Sequence, residues 1–195
     1  MAEANPVDRK VMVSPLRLAH VVLRTSRMQE MLDWYKYVLN AEIAYADGGI
    51  AFLAYDDEHH RIAFINIPNL APQPDGIVGV HHIAFTYATL TDLLDNYVRL
   101  RDRGFLPALS INHGPTTSLY YADPDGNQLE FQVDNFDTVE KAGAFFFTPE
   151  FAVNPIGVNF DPELLRSRLL AGEDEDVLKQ RPPSGPRGVD EIGLR

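Results

Sequence analysis

An internal repeat restricts this chain's fold more than any other feature. Moving 62 residues along the sequence carries His20 onto His82, Leu32 onto Leu94, Asp33 onto Asp95 and Tyr35 onto Tyr97. Four coincidences at one offset, with the same order of elements around them, indicate a duplicated unit. In the first copy Leu16 to Arg24 reads as a strand. Arg27 to Leu39 follows as an amphipathic helix, with Met28, Met31, Leu32, Tyr35 and Leu39 at helical spacing and Ser26 as its N-cap. Glu42–Ala46, Ile50–Tyr55 and Arg61–Ile67 are strand-like, with a hairpin at Asp47-Gly48-Gly49. In the second copy Val80 to Tyr87 is a strand and Thr91 to Arg103 a helix stopped by Gly104. Phe105–Ile111, Thr117–Tyr121 and Gln128–Val133 are its remaining strands, with a turn at Asp123-Pro124-Asp125-Gly126.

The predicted fold class is α+β, built from paired strand–helix–three-strand (βαβββ) modules. Module one covers about 16–67 and module two about 79–133, joined by a linker from Pro72 to Gly76. Residues 1–134 are expected to form a single domain, with residues 1–14 as a short arm. Residues 135–195 form a partly irregular C-terminal extension. In it Phe145-Phe146-Phe147 must pack somewhere, Glu163 to Leu170 suits a helix, and Gly172 to Asp176 reads as a solvated acidic tail. The end, RPPSGPRGVDEIGLR, is expected to be extended or mobile.

Composition narrows the chemistry. There are 17 Lys and Arg against 28 Asp and Glu, a net charge of −11, which argues against nucleic-acid or anionic-membrane partners. Cysteine is absent, so disulfides, thiolate metal sites and cysteine nucleophiles are excluded. The opening MAEANPVDRK lacks the apolar core of a signal peptide, and no apolar run is long enough for a membrane span. A cytoplasmic location is expected.

Any metal must therefore be held by His, Asp or Glu. His20 and His82 occupy the same place in the two modules, near the middle of each first strand. Glu130 lies between apolar Leu129 and Phe131 in the last strand of module two, where a carboxylate is costly to bury unless paired or metal-bound. Two histidines and one carboxylate are the ligand set of non-haem iron(II) enzymes that use oxygen. At a constant offset of 62, Glu130 maps to Pro68 in module one. No acidic residue or histidine lies there, and Asn66 and Asn69 are poor ligands, so the site is expected to be open.

Residues 111–130, INHGPTTSLYYADPDGNQLE, resemble the signature of type I extradiol ring-cleavage dioxygenases, through His113, Leu119-Tyr120, Asp123-Pro124, Gly126 and Glu130. HHRIAF at 59–64, VHHIAF at 80–85 and AHVVL at 19–23 are similar to three further strands of that family. The resemblance covers about residues 16–133 and extends to the vicinal oxygen chelate superfamily, whose modules form a curved sheet cup around a metal. It implies metal ligands His20, His82 and Glu130, His60 as proton-transfer group, and His113 and Tyr120 as hydrogen-bonding partners of the bound oxygens. It implies Fe(II), with Mn(II) the lesser choice, a catechol-type substrate and O₂. The chain departs from the family in having one pair of modules, a longer stretch between His60 and His82, and a short spacer from His113 to Tyr120.

His59 and His81 neighbour proposed functional histidines on strands and are expected to face the opposite way, as structural or solvent-facing groups. Met28, Met31, Tyr35 and Tyr97 are core residues. Two other functions are compatible with the fold: a glyoxalase-type isomerase using Zn²⁺ or Ni²⁺, which would want a fourth protein ligand, and a metal-free binding or resistance protein, which would not need His20, His82 and Glu130 together. Exposed sheet edges and an apolar tail lead to the expectation of a homodimer or larger homo-oligomer.

Overall fold

Helical and strand periods place the elements. A computed structural model describes residues 13–74, 76–188 and 191 and divides the chain into two units, one ending at Leu70 and one beginning at Ala71. The first unit contains β1 (Val21–Thr25), α1 (Met28–Val38), β2 (Glu42–Ala46), β3 (Ile50–Ala54) and β4 (Ile62–Asn66). Met31, Leu32, Trp34, Tyr35 and Val38 of α1 recur every three to four residues and are all buried. Tyr35 meets Phe64 of β4 edge-on, with ring centroids 5.1 Å apart. The strand order is β1-β4-β3-β2, with β1 and β4 parallel and the other pairs antiparallel.

The second unit repeats this plan. It contains β5 (His82–Tyr87), α2 (Leu90–Arg101), β6 (Leu109–Asn112), β7 (Thr116–Ala122) and β8 (Gln128–Asp134). Its order is β5-β8-β7-β6, again with the first and last strands of the module parallel. Equal order and equal polarity are what a duplicated βαβββ unit requires. Thr89 caps α2 by accepting the Asp92 N–H at 3.0 Å. The helix buries Leu90, Leu93, Leu94, Tyr97 and Leu100. Gly104, at φ +83°, ends that run as expected.

Strand register corrects one expectation. Val22 pairs with Ala63 in the first sheet, and Ala84 with Glu130 in the second. The offset from Val22 to Ala84 is 62, but from Ala63 to Glu130 it is 67. It has already reached 68 between Phe52 and Tyr120, the cross-strand partners of Ala63 and Glu130. Residues were added in the connections, where insertion is tolerated. The counterpart of Glu130 in module one is therefore Ala63, not Pro68. Alanine cannot ligate a metal, so no fourth ligand arises there either.

Two further details differ. The first strand begins at Val21 rather than Leu16, so His20 precedes the strand instead of sitting in its middle, and His82 is the first residue of β5. The cause lies in the partner: the β1–β4 ladder starts at Val21 opposite Ile62. Upstream, the Arg61 guanidinium takes the carbonyls of Leu18 and Ala19 at 2.7 and 3.0 Å. Arg27, not Ser26, is the N-cap of α1 and makes no side-chain cap. The Thr25 hydroxyl accepts the Arg27 N–H at 2.9 Å.

Both expected turns form. The Asp47 carboxylate accepts the N–H groups of Gly49 and Ile50, both at 2.9 Å. Asp123 is buried and accepts from the Asp125 and Asn127 N–H groups at 2.9 and 2.8 Å, and from Asn127 Nδ2 at 2.8 Å. Replacing Asp123 with Ala removes the acceptor for three half-buried donors next to β8. We expect a loss of about 2–3 kcal/mol in urea unfolding, the scale of bonds to a charged acceptor; an unchanged midpoint would contradict it.

The extension after residue 134 carries α3 (Val139–Phe145), α4 (Pro149–Val153), β9 (Val158–Asn159), α5 (Pro162–Leu170) and α6 (Glu175–Leu178). β9 adds a fifth strand to the second sheet, antiparallel to β6. The acidic stretch is not merely solvated. Glu175 accepts the Leu90 N–H at the start of α2 at 2.7 Å, and Glu173 pairs with Arg168. An acceptor there satisfies a donor that the helix cannot pair itself. The Phe145–Phe147 cluster splits: Phe145 is buried, whereas Phe147 is 90% exposed. The N-terminal arm before Val13 and residues 189–190 and 192–195 of the proline- and glycine-rich end lie outside the described residues.

Candidate functional site

Strand alternation gathers polar chemistry on one face of the second sheet. Glu130 pairs with Ala84 on one side and Tyr120 on the other, so His82, two residues before Ala84, shares their face. His82 Nε2 lies 3.0 Å from Glu130 Oε2. On the opposite face Phe131 packs edge-on against Phe85 and Tyr87. Glu130 is only 5% exposed. Burial acts to raise its pKa, but hydrogen bonds from His82, Ser118 and Tyr120 outweigh it and hold the carboxyl below its ordinary range.

His113 follows β6 and reaches the same cluster. Its Nε2 lies 2.9 Å from the Tyr120 hydroxyl and 3.8 Å from Glu130 Oε1, while Nδ1 bonds the Ile156 carbonyl. Burial holds this imidazole below the ordinary histidine range, against the opposing pull of the Ile156 carbonyl and Glu130. Burial, then the Glu130 charge, raises the Tyr120 phenol well above its usual value, which keeps it a hydrogen-bond donor. Ile111, Ile156 and Leu109 pack with Tyr120 in an apolar cluster.

In the first unit His20 and His60 are in contact, with ring centroids 4.4 Å apart. His60 stacks on Phe52, at 4.6 Å and an interplanar angle of 24°. By register Phe52 stands where Tyr120 stands in the second module. Partial burial, then the imidazoles of His20 and His59, lower the pKa of His60.

His59 and His81 are exposed, as expected, but they do not face away from their neighbours. The Nδ1 atoms of His59 and His60 are 2.5 Å apart, and those of His81 and His82 are 2.8 Å apart. Alternation fails because His59 and His60 precede β4 and His81 precedes β5, outside the ladders that enforce it.

The sequence-predicted residues thus fall into two groups: His82, His113, Tyr120 and Glu130 in the second unit, and His20 with His60 in the first. Ser118, Asn154, Ile156 and Arg181 were not anticipated. Period-two alternation from Tyr120 is a signal that finds Ser118; nothing local to the sequence finds the other three. Among the described residues, no group of three or more His, Cys, Asp or Glu side chains is gathered as a metal cluster. The His82–Glu130 pair does present imidazole nitrogen and carboxylate oxygen together. Those donor types suit iron or manganese and do not select the thiolate-preferring metals.

Residues 17–131 match the Glyoxalase/Bleomycin resistance protein/Dioxygenase superfamily. The chain belongs to this superfamily. Two proteins of Rhodococcus globerulus are similar to it over most of their length. One is biphenyl-2,3-diol 1,2-dioxygenase 2, 48% identical over 166 residues, covering 85% of this chain and 87% of the relative. The other is biphenyl-2,3-diol 1,2-dioxygenase 3, 43% identical over 167 residues, covering 85% and 88%. The crystal structure of a glyoxalase/bleomycin resistance protein/dioxygenase from Nocardioides shares the fold at a TM-score of 0.51 and 19% identity, covering 64% of this chain and 87% of that one. The paired-module α+β fold expected from the sequence is the fold of this superfamily. No helix among the described residues is long and apolar enough to cross a membrane.

Proposed function

We propose that this chain is an extradiol dioxygenase that opens a catechol-type aromatic ring with both atoms of O₂, using Fe(II) held by His20, His82 and Glu130. One observation carries the proposal: Glu130 is buried and met by His82, His113 and Tyr120 on one sheet face. The two Rhodococcus relatives support the substrate class, a catechol bearing an apolar substituent. Alanine at position 63 supports an open, three-ligand site over the four-ligand site of an isomerase.

Bound iron would supply a Lewis acid that lowers the pKa of a catechol hydroxyl, and the one-electron chemistry with O₂ that side chains lack. The protein groups do the rest. Tyr120 and His113 orient the ring through its oxygens. His60 takes the proton that a catechol hydroxyl gives up and returns it as the ring opens, a task suited to an imidazole near neutral pH. Both oxygen atoms of O₂ stay in the product, so no external reductant is needed.

The two modules are proposed to act as one domain, in the cytoplasm, which fractionation tests. A homodimer or larger assembly is also proposed. The exposed ring of Phe147 and the apolar residues Ile43 and Tyr45 on edge strand β2 support it. Light scattering at micromolar concentration should give at least twice the chain mass; a strictly monomeric species would contradict it.

The functional test is a panel of substituted catechols given to protein purified without oxygen and supplied with Fe(II). A coloured ring-opened product is expected, with one O₂ consumed per ring. Equal turnover with Zn²⁺ alone would overturn the proposal, because zinc has no redox chemistry.

A further inference from the structure

We infer that the C-terminal extension is part of the active site's working parts: Asn154 and Arg181 are positioning residues that hold the Ile156 carbonyl against His113 Nδ1 and so fix which ring nitrogen carries the proton. A carbonyl oxygen can only accept. The bond between it and His113 therefore requires an Nδ1–H, and the neutral ring then presents a lone pair at Nε2. That lone pair faces the Tyr120 hydroxyl at 2.9 Å. Tyr120 has one proton and two acceptors in reach, His113 Nε2 and Glu130. His113 is thereby set to accept from a hydroxyl, whether of Tyr120 or of a bound catechol.

The carbonyl is held by a built turn. Asn154 is 2% exposed. Its Oδ1 accepts the Ile156 and Gly157 N–H groups at 3.0 and 2.7 Å, and its Nδ2 donates to the Gly157 carbonyl and the Ser184 hydroxyl at 3.0 and 2.9 Å. Gly157 has φ +121°, and a Cβ there would sit 2.3 Å from the Asn112 carbonyl oxygen, so the turn is pressed onto the strand end that leads into His113. Arg181 ties both sides together. Its Nη1 donates to the carbonyls of His113 at 3.2 Å and Asn154 at 2.9 Å, its Nη2 donates to the backbone carbonyl of Glu150 at 3.1 Å, and its guanidinium lies over the Phe145 ring. Phe145 in turn fills the space beside Gly114, where a Cβ would clash with its ring. The three Arg181 bonds span 27 to 68 residues of sequence, and both Asn154 and Arg181 belong to the extension.

The part given to His113 in handling substrate rests on the ring-cleavage function proposed above; its tautomer does not. The test is a long-range ¹H–¹⁵N spectrum of the full chain, with Zn²⁺ as a non-paramagnetic stand-in for iron and the His113 signals assigned through His113→Gln. The Nδ1-protonated pattern is expected. An Nε2-protonated pattern in the unsubstituted protein overturns the inference, whatever the protein turns over. Asn154→Leu should shift or average the pattern and raise the KM for a catechol about 10–100-fold, the scale on which losing an outer-shell partner of a metal site weakens affinity or activity. Asn154→Asp keeps the acceptor for both N–H groups and should retain the pattern. A folded Asn154→Leu with the original spectrum and KM would overturn the role of Asn154. Should that variant not fold, Arg181→Gln, which frees the His113 and Asn154 carbonyls, gives the same choice of outcomes. If the protein cleaves no catechol, the proposed function fails while the spectrum still decides the tautomer.

Discussion

Glu130→Ala and His82→Ala are each expected to reduce bound iron from about one ion per chain to a trace. Ring cleavage should fall by at least about 10³-fold. A metal centre contributes several kcal/mol of charge stabilisation, and each 1.36 kcal/mol is tenfold in rate. Glu130 is buried and His82 lies 3.0 Å from it, so either substitution also removes one hydrogen bond from this buried cluster. Glu130→Gln separates the two effects: it keeps the shape and one acceptor oxygen but loses the charge. Iron should still be lost while circular dichroism shows a folded chain. His20→Ala should behave like His82→Ala. Full iron content in the His20 variant would remove that residue from the proposed ligand set and leave the pair in the second unit standing.

The second large effect belongs to His60. Its ring contacts His20 and stacks on Phe52, so phenylalanine can occupy the same space without proton chemistry. His60→Phe should retain iron and bind catechol nearly normally. Turnover should fall by about 10²–10⁴, the worth of a positioned acid–base group. Stopped-flow absorbance should show species before ring opening persisting longer than in the parent. A variant that holds iron and turns over at the parent rate would reassign proton transfer to His113 or Tyr120. If His60 were only a packing residue, the variant would lose stability while its folded fraction kept normal specific activity.

The duplication is legible in the sequence because its signal is local. A strand, a helix and the turns at Asp47 and Asp123 each announce themselves within a few residues. A constant offset of 62 misplaces the counterpart of Glu130 because it assumes connections of equal length. Length is conserved where hydrogen bonds enforce register, and drifts in turns. Strand alternation likewise misplaces His59 and His81, which contact His60 and His82 instead of facing away from them. Alternation is a property of paired strands, and these histidines sit just before the pairing starts. Glu130 was legible because a carboxylate between Leu129 and Phe131 is energetically conspicuous. Ile156, Asn154 and Arg181 were not, since each acts through backbone groups distant in sequence, and a carbonyl has no residue-type signature. The acidic stretch at 172–176 misled for a related reason: composition says solvated, but Glu175 meets the open N-terminus of α2.

Oxygen accounting tests the central claim most directly. The iron-loaded protein is given a catechol under ¹⁸O₂ and the product is trapped at once for mass spectrometry. Extradiol cleavage predicts a ring-opened product carrying two heavy oxygen atoms, formed only when iron and O₂ are both present. A product without heavy oxygen, or the same product formed under argon, would contradict it.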